Sequence, residues 1–102
     1  MFLCISMEPA LIRALSLPPT IYKQYTHVED IEDLMIGRYV RWVYTDQLKK
    51  LYPGGFIVSV DNHVVLCKNR NRFFTILFNE AIVLQKMSLD ERIIQKAREL
   101  ST

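Results

Sequence analysis

The stretch from Gly37 to Lys86 constrains the fold more than any other part of this sequence. It contains five short segments rich in β-branched and aromatic residues, which begin at Arg38, Phe56, Val64, Phe73 and Ala81. Segments of this composition and length favour β-strands. The breaks between the last four segments are two to four residues long, which is the length of hairpin turns. The pattern therefore predicts strands that pair consecutively and antiparallel, as a meander.

The alternation of side chains predicts which face of each strand is buried. In the first strand, Val40 and Trp42 share one face, which we expect to point to the core. The second strand is expected to carry on one face the side chains of Phe56, Val58 and Val60. Both faces of the later strands are largely apolar, so we expect the sheet to curl on itself or to be covered by helices.

These patterns predict a mainly β protein with flanking α-helices. The expected architecture is a small, bent, antiparallel SH3-like barrel of about five strands, with a short N-terminal helix and a C-terminal helix. A chain of 102 residues has the usual length of one domain. We expect residues 1–25 to form a partly helical arm and residues 26–102 to form a single barrel domain that includes the C-terminal helix.

Three segments outside the strands have helical patterns. Residues 8–17 carry apolar side chains at helical spacing and end before two prolines. Thr26 and Glu29 have the spacing of a capping box, and the pattern predicts a helix from there to Gly37. Ser88 and Glu91 repeat that spacing, and the apolar periodicity predicts a last helix to about residue 100.

Composition and charge limit the function classes. The net charge of +2 is lower than is usual for a protein that binds mainly the DNA backbone, yet it does not exclude an anionic partner. Cys4 and Cys67 have no zinc-ligand spacing, and free thiols in a reducing compartment are the favoured interpretation. No stretch approaches the ~20 apolar residues of a membrane helix. We therefore expect no membrane insertion, and an intracellular location in cytoplasm or nucleus, or one within a virus particle.

No motif with catalytic chemistry occurs in the sequence. A glycine-rich phosphate loop, HExxH and GxSxG are all absent. His27 and His63 have no nucleophile placed beside them, and a general base needs a positioned partner. The sequence therefore predicts a non-enzymatic protein without a cofactor or a metal site.

Three sets of residues are candidates for binding. A basic set could contact the phosphates of nucleic acid or an acidic protein surface, or could simply be solvated: Lys68, Arg70, Arg72, Arg41, Lys49 and Lys50. An aromatic set could enclose a methylated lysine or arginine, although core packing also explains these rings: Tyr39, Trp42, Tyr44 and Phe73. An apolar set in the N-terminal arm could dock on a partner protein: Phe2, Leu3, Leu11, Leu15, Tyr22 and Tyr25.

The central segments read G-R-Y-V-R-W-V, G-G-F-I-V-S-V, V-V-L-C-K, R-F-F-T-I-L-F and A-I-V-L-Q-K. In this form they resemble small SH3-like barrels of the Tudor type, over about half of the chain. The first strand of that family often opens with a glycine and carries a valine and a tryptophan, which correspond here to Gly37, Val40 and Trp42. The resemblance implies a bent antiparallel barrel that binds nucleic acid or methylated ligands. Barrels with such helical extensions are also similar to small accessory proteins of large DNA viruses, including minor capsid components.

The function expected from the sequence is that of a non-enzymatic protein–protein interaction module. Such a module would be a structural or accessory component of a larger assembly, such as a virus particle, and would dock on other proteins. The alternative is a Tudor-like barrel that binds nucleic acid or a methylated ligand.

Overall fold

The computed structural model describes residues 7–91 and residue 93. Before the sheet, these residues form helices α1 (Pro9–Leu15) and α2 (Pro19–Tyr22). The strands that follow are β1 (Tyr25–Val28), β2 (Tyr39–Tyr44), β3 (Gly55–Asp61), β4 (Val64–Asn69), β5 (Arg72–Leu77) and β6 (Ala81–Lys86). Short 3-10 turns lie at Ile31–Asp33 and Phe78–Glu80.

The six strands form one open antiparallel sheet in the order β1-β6-β2-β3-β4-β5. The mainly β class is confirmed. Strands β2 to β5 form the predicted meander. The last strand departs from that pattern: β6 pairs with β2, with Trp42 opposite Val83, and not with its sequence neighbour β5.

Residues 26–37 do not form the helix that their capping-box pattern predicts. Residues Tyr25–Val28 are strand β1, and only one 3-10 turn follows. A capping box contributes about 1 kcal/mol, and a helix this short is marginal in water. Pairing with β6 provides backbone hydrogen bonds and allows Val28 to enter the core, and that gain exceeds the local signal.

The predicted face of the second strand is wrong for Val60. The register of β3 against β4 shifts between Ile57 and Ser59, which marks a β-bulge. A bulge adds one residue and so inverts the alternation that follows it. As a result Val60 packs on the core beside Ile57, whereas Phe56 is exposed on the opposite side of the sheet.

The chain divides into two compact units, of which one is residues 27–85 and the other combines the residues before and after it. In the 27–85 unit, a single core cluster draws on all six strands. Its buried members are Val28, Leu34, Val40, Trp42, Ile57, Val65, Cys67, Ile76, Phe78 and Val83. Residues of both edge strands, β1 and β5, therefore belong to the same core.

The other unit contains α1 and α2. Helix α1 ends at Leu15. The next residue, Ser16, has a left-handed φ of 53°, and Leu17 N–H donates to Ile12 O at 3.0 Å. The buried apolar residues described in this unit are Met7, Leu15, Leu17, Ile21, Tyr25 and Met87. Among the described residues, no helix has the length and apolar content needed to cross a membrane.

The predicted capping box at the start of the last helix is confirmed. The N–H of Glu91 donates to Ser88 Oγ at 3.1 Å, and the N–H of Ser88 donates to Glu91 Oε1 at 2.7 Å. Helical backbone begins at Leu89. Apart from residue 93, the predicted continuation of this helix to about residue 100 lies outside the described residues.

Candidate functional site

One cross-strand row places aromatic and cationic side chains on the side of the sheet opposite to the core. In this row Tyr39 pairs with Phe56, Phe56 with Lys68, and Lys68 with Phe73. We call this side of strands β2 to β5 the outer face. The side chains of Phe56 and Phe73 are 54% and 58% exposed, so two large apolar rings stand in water on regular strands.

The side chains of this row are held by contacts with one another. The rings of Tyr39 and Phe56 meet edge to face, with centroids 4.9 Å apart, and the Tyr39 hydroxyl donates to Pro53 O at 3.0 Å. The Nζ atom of Lys68 lies 5.5 Å from the centroid of the Phe73 ring, within the range of a cation–π contact. The row is thus an ordered surface of alternating rings and charge.

Exposed apolar side chains extend the outer face along the strands. Val64 pairs with Leu77, and both are exposed, as is Val58. The apolar residues on both faces of the later strands predict burial on both sides. Within the described residues, the core cluster covers one face of β3 to β5, and the side chains on the other face of these strands are largely exposed. The same pattern was therefore the available signal for an exposed binding face.

The six basic residues predicted to bind phosphate fall into two groups. Lys68, Arg70 and Arg72 are exposed together at the hairpin between β4 and β5, beside the outer face; we call them the basic tip. The other three are Arg41, Lys49 and Lys50, and they lie on β2 and in the loop after it.

Two of the residues in the second group have partners near Tyr52. The Nε of Arg41 donates to Tyr52 O at 3.1 Å, and the Nζ of Lys50 lies 5.0 Å from the centroid of the Tyr52 ring. These contacts hold the loop after β2, and they reduce the number of donors that are available to an external phosphate.

The four rings of the predicted aromatic pocket lie on two different faces. Tyr39 and Phe73 are on the outer face, whereas Trp42 and Tyr44 alternate with Tyr39 and point to the core side. Trp42 is only 4% exposed and stacks on Tyr52, with an interplanar angle of 9° and centroids 5.4 Å apart. A ligand therefore cannot meet all four rings at one place.

A cleft of about 280 Å³ opens beside Tyr44 and Tyr52, and it is further lined by Thr45, Asp46, Gln47 and Glu80. The two phenol rings meet edge to face with centroids 5.4 Å apart. Two rings and two carboxylates make this cleft chemically suited to a small cation. Tyr52 was not in the set of pocket residues predicted from the sequence, because its loop position gives no periodic signal.

Burial raises the pKa of the Tyr44 hydroxyl, and the neighbouring Tyr52 and Glu80 act in the same direction. The indole N–H of Trp42 lowers this pKa to a smaller extent. It does not reach the geometry of a hydrogen bond, so Trp42 Nε1 is a buried donor without a partner among the described residues. The cleft wall therefore presents a protonated hydroxyl at neutral pH.

The predicted docking residues of the N-terminal arm offer little exposed apolar surface. Phe2 and Leu3 lie outside the described residues. Leu15 and Tyr25 are buried, and Leu11 and Tyr22 are half-buried. The largest exposed apolar rings described in the chain are instead Phe56 and Phe73 of the outer face.

Within the described ranges, no three side chains of His, Cys, Asp or Glu are grouped so that they could hold a metal ion. Cys67 is a free, buried cysteine, and burial raises the pKa of its thiol to about 11. No protein-family model, curated protein or solved structure matches this chain significantly. The function therefore has to be inferred from the geometry of the outer face and its surroundings.

Proposed function

We propose that this chain is a non-enzymatic protein–protein interaction module that binds its partner through the outer face of β2 to β5. The observation that carries the proposal is the row in which Phe56 and Phe73 flank Lys68, with both rings more than half exposed. Aromatic side chains held rigidly in this way lose little conformational entropy on binding and provide much of the energy at protein interfaces.

The surroundings of the row indicate what kind of partner fits. Val58, Val64 and Leu77 extend the apolar surface away from the row, and the basic tip lies at one end of it. A complementary partner presents apolar side chains to the strands and carboxylates to the tip, because opposite potentials align an interface and speed its formation. A component of a larger assembly would use the face in this manner.

We also propose that the 27–85 unit is a small SH3-like barrel. Two observations support this proposal. Strand β6 returns to pair with β2, so the first and the last of the five strands β2 to β6 in chain order are neighbours in the sheet. The core cluster includes residues of both edge strands, and strong bending of the sheet brings such residues close.

Single-stranded nucleic acid is the second candidate ligand. The alternation of Phe56, Lys68 and Phe73 matches the stacking platforms on which bases lie while cations pair with phosphates, and Arg70 and Arg72 are nearby. The exposed aliphatic side chains of β3 to β5 and the net charge of only +2 favour a protein partner over this candidate.

The test compares the wild type with Phe73→Ser and with a control, Ile36→Ser, which also replaces a large exposed apolar side chain by serine. Ile36 is 70% exposed but lies in the loop before β2. Proteins captured from the native source are identified by mass spectrometry, purified, and titrated by calorimetry against each variant. We expect a captured protein to bind the wild type and Ile36→Ser equally and to bind Phe73→Ser at least about tenfold more weakly.

Equal binding of that protein to Phe73→Ser would contradict the proposal. A single-stranded oligonucleotide is titrated in parallel at several salt concentrations. Binding that weakens steeply with salt and is lost in both Phe73→Ser and Lys68→Ala, with no protein partner, would establish the second candidate in place of the first.

A further inference from the structure

Strand β5 is one edge of the sheet, and a hydrogen bond next to it shows which residues of β5 bond to β4. The N–H of Phe78, directly after β5, donates to His63 O at 2.8 Å. Bonded and non-bonded positions alternate along an antiparallel ladder. Counting back from Phe78, the residues that direct their backbone N–H and C=O groups to β4 are therefore Ile76 and Phe74.

The residues of β5 that alternate with Phe74 and Ile76 direct their backbone N–H and C=O groups away from the sheet. These are Phe73, Thr75 and Leu77, and no strand of the described residues lies on that side. The side chains of the same three residues are exposed on the outer face. The edge therefore offers three donors and three acceptors in a row, next to an apolar surface.

This edge lacks the features that usually protect exposed strands. Natural edges carry prolines, lysines or bulges, or are very short. Strand β5 has six residues without proline or glycine, no register shift against β4, and no charge after Arg72. The opposite edge strand, β1, has only four residues. A long, regular and unprotected edge is suited to pairing with another strand.

We propose that this edge pairs antiparallel with β5 of a second copy of the chain. A two-fold axis at Thr75 places Thr75 opposite its own counterpart and Phe73 opposite Leu77 of the second copy. Each of the three outward-directed residues then lies opposite an outward-directed residue of the second copy, in a bonded position. On the outer face the pairing gives Thr–Thr and Phe–Leu contacts, which are favourable cross-strand pairs, and the dimer is closed.

The distribution of charge supports a second copy in this antiparallel orientation. Arg70 and Arg72 lie at one end of β5, whereas Asp61 lies in the same cross-strand row as Leu77, at its other end. Antiparallel pairing brings the basic tip of each copy to the acidic end of the other. Parallel pairing would place the two basic tips together, at a cost in repulsion.

The dimer would join two outer faces into one continuous surface. The pairing itself uses the backbone of β5 and does not require that the outer face binds another protein. The two proposals can therefore fail separately: Phe56→Ser, on β3, is expected to weaken partner binding and to leave the dimer unchanged.

The first test measures the molar mass of the full chain by light scattering and by sedimentation equilibrium over a range of concentrations. We expect the mass to approach twice 12.0 kDa. Thr75→Lys places two like charges opposite each other at the axis, and the dissociation constant should rise about tenfold or more. The matched control is Val58→Lys, on the same face but on β3, and it should dimerise as the wild type does.

The second test uses charge reversal to establish the orientation. Arg72→Glu and Asp61→Lys should each weaken the dimer, and an equimolar mixture of the two variants should restore it, because each of the two contacts between a basic tip and an acidic end then pairs opposite charges. A wild-type chain that stays monomeric at every concentration would overturn the proposal. A dimer that Thr75→Lys does not weaken, or a mixture that restores nothing, would also overturn it.

Discussion

The side-chain oxygen of Gln85 accepts a hydrogen bond from the backbone N–H of Met35 at 2.8 Å, across 50 residues of sequence. The Nε2 of the same side chain donates to Asp33 O at 3.3 Å. Gln85 is only 4% exposed. One buried amide on β6 therefore holds the segment between the first 3-10 turn and β2.

Replacement of Gln85 by leucine should lower the free energy of unfolding by about 1–3 kcal/mol, because a donor and an acceptor of the backbone lose their partners. Urea denaturation of both proteins measures the difference. Gln47→Leu is the control: that side chain is exposed, and its replacement should change the stability by less than about 0.5 kcal/mol. Equal stability of Gln85→Leu and wild type would show that water replaces both hydrogen bonds.

Two glycines with positive φ differ in what surrounds them, and they form a natural pair of variants. Gly37 has a φ of +92° and nothing within 4 Å of an added Cβ, whereas Gly54 has a φ of +99° and an added Cβ there would clash with Val40 O. Gly37→Ala should cost about 1–3 kcal/mol through backbone strain alone. Gly54→Ala adds a steric clash with β2 and should cost clearly more.

Thermal and urea unfolding of the two alanine variants test that order. If Gly54→Ala is no less stable than Gly37→Ala, the result would contradict the expected clash between a Cβ at position 54 and β2.

The buried thiol of Cys67 should make stability depend on alkaline pH. Burial raises its pKa from 9.0 to about 11 in the folded state, so the folded state holds the proton more tightly than the unfolded state. The contribution is fully present below pH 9.0 and is lost as the pH rises toward about 11, with a slope of at most about 1.4 kcal/mol per pH unit.

Unfolding free energies between neutral and alkaline pH measure this slope, with Cys4→Ser as the background so that Cys67 is the sole thiol. The matched control adds Cys67→Ala, in which this part of the pH dependence should disappear. Identical pH profiles for the two proteins would mean that Cys67 does not titrate differently on folding.

The capping box at Ser88 should contribute to stability through both of its hydrogen bonds. Ser88→Ala removes the acceptor for the N–H of Glu91 and should lower the free energy of unfolding by about 0.5–2 kcal/mol. Glu91→Gln keeps an oxygen at the position of the acceptor for Ser88 N–H, so it should cost less than Ser88→Ala. Circular dichroism followed during urea unfolding compares them, and the reverse order would contradict the reciprocal arrangement.

Several features followed from short-range patterns, and the structure confirms them. The strands β2 to β6 lie where alternation and turn residues predicted them. The turn at Asn62, with a φ of 53°, uses a residue type that tolerates left-handed backbone. The Ser88 capping box also depends only on residues close in sequence. In each case the interacting groups are near neighbours, so their identity is enough to determine the local geometry.

The candidate site was less predictable. The sequence identified Lys68, Arg70 and Arg72 as one basic hairpin tip and pointed to Phe73 as a binding residue. It did not separate Phe73 from Trp42, because both are aromatic strand residues and only the pairing of strands shows which ring faces the core. The bulge after Ile57 moves Val60 to the core side, so Val60 does not share the face of Phe56 as the alternation in the sequence predicts.

Sequence alone determined that residues 38–86 form short strands with turns between them, since neighbour-to-neighbour preferences specify both. Tertiary structure alone decided that β1 is a strand, that β6 lies beside β2, and that one apolar face of β3 to β5 meets water. These outcomes depend on hydrogen bonds and packing between residues far apart in the chain, such as Gln85 and Met35. The energy of such contacts exceeds weak local preferences, and no short stretch of sequence contains it.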